Sequence, residues 1–139
     1  MLYNTCCMKS KKIKITDWMV GVCHAFVVRQ IAGLFMFGFF IITIKFMSLP
    51  SVVIEKLVYM AYPILVWPAA MLSARLMSHI FEIQHAHKVT VWSSLFIVLF
   101  TLGSLKDTLV PGYYSILWVY PAGFVVFYFA SRKYFKDSI

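Results

Sequence analysis

Four apolar runs, at about residues 31–49, 57–74, 89–105 and 113–130, constrain this chain more than any other feature. At 1.5 Å of rise per residue, a helix of ~17–25 residues crosses the hydrocarbon of a bilayer, so each run is long enough to span. The chain is 62% hydrophobic and 13% charged, against about 25% charged for an average soluble domain. A soluble fold of 139 residues could not hide so much apolar side chain, because small folds leave much of their surface wet. The competing reading, a soluble helical bundle buried in an oligomer, leaves the bilayer-matched length of the runs unexplained. The expectation is an all-α, polytopic membrane protein. Its four transmembrane helices form two tandem hairpins in a single domain.

The polar interval 73–88, SARLMSHIFEIQHAHK, separates the two hairpins and is expected to bridge them on the cytoplasmic side. Residues 1–14 form a basic tail. In residues 15–30, Ile15, Trp18, Met19, Val22 and Phe26 recur at three- and four-residue steps. That stripe predicts an amphipathic helix lying at the interface, or else the first part of a long, tilted span. Arg29 and Gln30 favour the interface, since an arginine in mid-bilayer costs roughly 2.5–3.5 kcal/mol even on the lenient insertion scale. At the boundary its guanidinium could reach lipid phosphates. Pro63 and Pro68 are expected to kink helix two, and Pro121 to interrupt helix four.

The net charge of +8 would suggest nucleic acid in a soluble protein, but here the cations flank apolar runs. Lys9, Lys11, Lys12 and Lys14 precede the first run, and Arg132, Lys133 and Lys136 follow the last. With Arg29, Arg75 and Lys88 they outnumber Lys45, Lys56 and Lys106 on the opposite side. An even number of spans with both termini cytoplasmic follows, and no nucleic-acid partner is called for. Cys6 and Cys7 should then be reduced cytosolic thiols, acylation being the alternative in a eukaryotic host. The run from Ile31 is long for a signal peptide and no A-x-A-like site follows it, so it is expected to be retained.

The halves resemble each other. Tyr62-Pro63 and Tyr120-Pro121 lie at matching depths, and a serine follows ten residues after each proline, Ser73 and Ser131. The same offset pairs Thr43 with Thr101. Two hairpins of one orientation would form a parallel repeat about an axis along the membrane normal.

Candidates for chemistry are few. His79, Glu82 and His85 are spaced three apart, which on a helix would gather them on one side as weak candidates for a zinc site. The alternative is a solvated helix whose histidines are only polar, and the expectation is no metal and no cofactor. No phosphate loop or nucleophile elbow occurs, and no enzyme is expected. The tyrosines and tryptophans suit an interfacial belt, a minority being placed to line a groove for a lipid or sugar.

At the end of helix four, Phe127-Tyr128-Phe129-Ala130-Ser131-Arg132-Lys133-Tyr134-Phe135 runs from an aromatic-rich helix through a small polar residue to basic residues and further aromatics. Arg29 precedes Ala32-Gly33, and Ser73-Ala74-Arg75 stands near Phe81. With the four-span plan, this pattern resembles the GtrA-like family of small membrane proteins. That family also places asparagines in its first hairpin, whereas the asparagine of this chain is Asn4. The resemblance implies a protein of the bacterial cytoplasmic membrane that moves, or helps to move, a polyprenyl-phosphate-linked sugar for surface polysaccharide modification. Arg29, Arg75, Arg132 and Lys133 are the residues expected to meet a phosphate or headgroup. The alternative function is a non-transporting interaction protein (an immunity, exclusion or assembly factor) acting by helix contact with another membrane protein. Membrane lipids are the expected partners in either case, and a homo-oligomer is compatible with both.

Overall fold

A computed structural model of the protein describes residues 12–105, 109, 111–112 and 114–137. Cys6, Cys7, Lys9, Lys11, Lys106, Asp107 and Tyr113 lie outside them. The described chain is all-helical: α1 Asp17–Phe46, α2 Ser51–Ile80, α3 Ala86–Leu105, a 3-10 turn at Tyr114–Ile116, and α4 Val119–Tyr134. Four segments, with α4 counted from Tyr114, are long and apolar enough to cross a membrane.

The boundaries correct the expected ones. Of the two alternatives for residues 15–30, the structure has the long span and not a separate interfacial helix: α1 runs unbroken for 30 residues from Asp17. Val20, Gly21, His24, Ala25 and Val28 are buried against other helices. α2 likewise extends to Ile80, so the polar interval 73–88 shrinks to a non-helical stretch at 81–85. Pro63 and Pro68 sit inside a continuous α2. The fourth span is interrupted beside Pro121, as expected: the 3-10 turn Tyr114–Ile116 ends before α4 begins at Val119. Pro121 occupies the first turn of α4, where a backbone donor has no intrahelical acceptor to lose.

α1 packs against α2 and α3, while α4 packs against α2 and more thinly against α3. The order around the bundle is therefore α1, α2, α4, α3, with α1 beside α3 and α2 beside α4. Alanines at the contacts let the backbones approach: Ala25 and Ala32 on α1, Ala69 and Ala70 on α2, and Ala130 on α4 are buried around Val66, Ile97 and Phe127. Small residues are the usual solution where lipid supplies no hydrophobic drive for helices to meet. Most long side chains point outward instead, including Leu34, Phe37, Ile64 and Leu99. That distribution suits an apolar solvent and would be an aggregation hazard in water.

One end of the bundle gathers the N-terminal segment, the α2–α3 connection and the C-terminal segment. Ile13 N–H donates to the Ile80 carbonyl (2.9 Å), and Glu82 N–H donates to that of Ile13 (3.0 Å). The Ala86 N–H at the start of α3 donates to Asp137 Oδ1 (2.7 Å), placing a carboxylate at the positive end of the helix dipole. Both described chain ends thus lie at the same end of the bundle.

Candidate functional site

Arg29 is the thirteenth residue of a 30-residue apolar helix, roughly 18 Å from its start at 1.5 Å per residue. It is not at the helix boundary. Arg29 Nη2 donates to Ser104 Oγ (3.2 Å), and the guanidinium lies 5.8 Å from the centroid of the Phe100 ring. Ser104 directs its own proton to the Phe100 carbonyl (3.3 Å), which leaves its oxygen to accept from the arginine. These partners come from α3, the neighbour that runs parallel to α1. They solvate the cation without neutralising it.

The arginine lines a cleft of about 210 Å³ together with Tyr59 and Tyr62 of α2, Thr101 and Ser104 of α3, and Tyr120 of α4. A second cavity of about 280 Å³, between α3 and α4, shares Tyr62, Ile97, Thr101 and Tyr120 with the first. A cation and several hydroxyls therefore face one space, which continues into an almost wholly apolar one. Gly123 helps to shape the junction, since a Cβ there would stand 2.5 Å from Tyr62 Cε1. Tyr62 lies where a side chain on α4 would otherwise be.

Nearer the chain ends the bundle is closed by a residue that periodicity alone had not singled out. His24 is fully buried. Its Nδ1 is 2.8 Å from Ser73 Oγ on α2, and its Nε2 is 2.9 Å from Ser131 Oγ on α4. One ring nitrogen can donate while the other accepts, so both serines are satisfied by one imidazole. The ring stacks on Phe127 (5.4 Å between centroids) and meets Phe135 edge-on (4.7 Å). Three helices converge on a single side chain. One turn earlier, Gly21 lies against α3 so closely that a Cβ would stand 2.7 Å from Trp92 Cβ and 2.9 Å from the Ser93 nitrogen.

The two serines are the pair that follow the Tyr-Pro motifs, and the tyrosines of those motifs are the pair shared by both cavities. On α2 and α4 the repeat is therefore a spatial one. It does not extend to the other helices. Thr43 and Thr101 each bond back to the carbonyl four residues earlier, at 2.7 Å. However, Gly21 lies beside Trp92, which places Thr101 near the level of Gln30 and well short of Thr43.

No family model, curated protein or solved structure matches this chain. Its residues have to speak for it.

Of the other cations expected at a phosphate, Arg75 and Lys133 come together. The Arg75 guanidinium is 5.9 Å from the Tyr134 centroid, and Lys133 Nζ lies 5.7 Å from that ring and 5.5 Å from the ring of Trp67. Trp67 and Tyr134 meet edge to face at 6.1 Å. This rim of α2 and α4 presents two positive charges over aromatic faces. Arg132 is exposed beside it. Arg29 stands apart, its contacts being on α3.

His79, Glu82 and His85 do not converge. The helix that would have aligned them ends at Ile80, and the partners of Glu82 and His85 lie elsewhere. Glu82 Oε2 pairs with Lys14 Nζ at 3.6 Å, and His85 Nδ1 donates to Asp17 Oδ2 at 2.9 Å. Among the described residues, no three His, Cys, Asp or Glu side chains are grouped so as to hold a metal ion.

Proposed function

We propose that this protein binds an anionic amphipathic lipid, of the class of polyprenyl-phosphate-linked sugars, and helps to carry it across a bacterial cytoplasmic membrane. The observation that carries this reading is Arg29, a cation placed within an apolar helix and opening into a hydroxyl-lined cleft. An intramembrane ionisable residue is costly, and where it faces a cavity it marks a ligand path by default. Phosphate is the group a guanidinium recognises best, through paired, charge-assisted hydrogen bonds. The surrounding tyrosine and serine hydroxyls are suited to a phosphate or a sugar, and aromatic faces stack on sugar rings. Arg75 and Lys133 on the rim, with Arg132 beside them, would gather the anionic headgroup from the surface before it moves inward. The excess of cations on the chain-end side orients that side towards the cytoplasm. The four-span plan and the closing aromatic-basic pattern, which resemble the GtrA-like family, support the same substrate class.

The test is lipid retention by the protein in nanodiscs, read by native mass spectrometry with an undecaprenyl phosphate probe. Arg29→Gln is expected to lower retention at least tenfold, and Arg29→Lys by less. Equal retention by wild type and Arg29→Gln would overturn the reading.

A further inference from the structure

We infer that the space between α3 and α4 is a lateral doorway that admits a single hydrocarbon chain, so that the ligand of the Arg29 cleft is a one-chain lipid phosphate entering sideways from the bilayer. The inference rests on the phosphate reading of Arg29 and adds the route and the number of chains.

Three observations carry it. α3 and α4 form the thinnest contact between neighbouring helices of the bundle, so this is where the wall parts most readily. The cavity there, about 280 Å³, is lined by apolar groups of both helices, including Leu102 and Phe124. Val98, Leu102 and Phe124 are also exposed on the outer surface, at 36%, 58% and 38%, so the space communicates with lipid. Finally, it shares Tyr62, Thr101 and Tyr120 with the cleft that holds Arg29. A chain lying between α3 and α4 therefore places its head among those hydroxyls, within reach of the cation.

Size and solvation define the occupant. At about 280 Å³ the cavity is smaller than the ~300 Å³ at which small-molecule pockets usually begin, too little to take in two hydrocarbon chains together. Hydrocarbon gains little by moving from lipid to an apolar protein wall. The slot therefore provides access, and the charge provides the hold. A phospholipid with two acyl chains would have to leave one chain outside or force the helices apart. A polyprenyl phosphate has one chain and needs neither.

The experiment uses the full chain in nanodiscs with a polyprenyl phosphate carrying a photoactivatable group in its tail, crosslinks being mapped by mass spectrometry. Labelling is expected to concentrate on residues 97–105 and 121–124. Val98→Trp with Leu102→Trp fills the slot from its lipid side and is expected to reduce both labelling there and lipid retention at least fivefold. Leu99→Trp, on the same helix but outside the slot, is expected to change neither. Phosphatidic acid should compete at least tenfold less well than unlabelled polyprenyl phosphate. Labelling spread evenly over all four helices, unchanged retention in the filled variant, or equal competition by phosphatidic acid would each overturn the doorway. If retention still depends on Arg29 in those cases, the head site stands and only the route falls. If Arg29→Gln changes nothing, the phosphate reading itself has failed.

Discussion

The two halves of this bundle are built from the same apolar helices and behave as opposites. Towards the chain ends, the described helices pack closely. Gly21 lets α1 press onto Trp92 and Ser93, while His24 ties α1 to Ser73 and Ser131. The connections beyond are stitched together through Ile13, Ile80 and Glu82. Towards the α1–α2 turn the bundle leaves a space, although Thr43, Ile54 and Val58 are still buried there. The cleft of Arg29 lies there, and a Cβ added at Gly33 on its wall would meet nothing within 4 Å. Hydropathy does not distinguish the halves. A few small residues and one shared imidazole close one half, and Arg29 lies in the other.

The comparison breaks most readily at the histidine. Removing its ring from between Phe127 and Phe135 leaves a cavity, at the cost of a large-to-small core change. It also strands two serines, at about 0.6 kcal/mol per intramembrane hydrogen bond. His24→Ala is therefore expected to destabilise by about 3 kcal/mol in the balance of these terms, measured by unfolding in mixed micelles. Arg29→Gln in the open half should stay within about 1 kcal/mol of wild type, since no packed core surrounds it. Equal losses at the two sites would erase the distinction between the halves.

The glycines sharpen it. Gly21→Ala forces a methyl group onto Trp92 and the α3 backbone and is expected to cost about 1–3 kcal/mol, the range for overpacking. Gly33→Ala meets open space and should be neutral, or stabilising by up to about 1 kcal/mol through helix propensity. The same micelle unfolding assay reads both. The smallest effect belongs to the exposed Lys14–Glu82 pair: Glu82→Gln should change stability by less than about 0.5 kcal/mol, as solvent screening predicts.

The spans were legible in the sequence because length and apolarity are local properties, and so was the polar division between the hairpins. The start of α1 was not. Setting Arg29 against lipid alone assigns it to the interface, whereas Ser104 of α3 and a cleft lined by all four helices receive it within the helix. The histidine trio misled for a similar reason. Its spacing of three presupposes a helix, and the Ile13–Ile80 bond that accompanies the end of that helix comes from residues far away in the chain. His24 carried a usable signal. It is the one histidine outside the polar interval, and two serines stood at equal distances from matching prolines. What the one-dimensional pattern lacked was the knowledge that α2 and α4 run side by side, which is what turns a spacing into a shared partner.

The position of His24 also limits how the molecule can move. A bundle pinned at one end by a ring that three helices hold in common can splay only at the other, as a pair of tongs opens about its joint. Displacements would grow with distance from that joint and be largest near the turn of the first hairpin. The cleft of Arg29 lies in the part that can widen, whereas the rim of Arg75 and Lys133 lies beside the part that cannot.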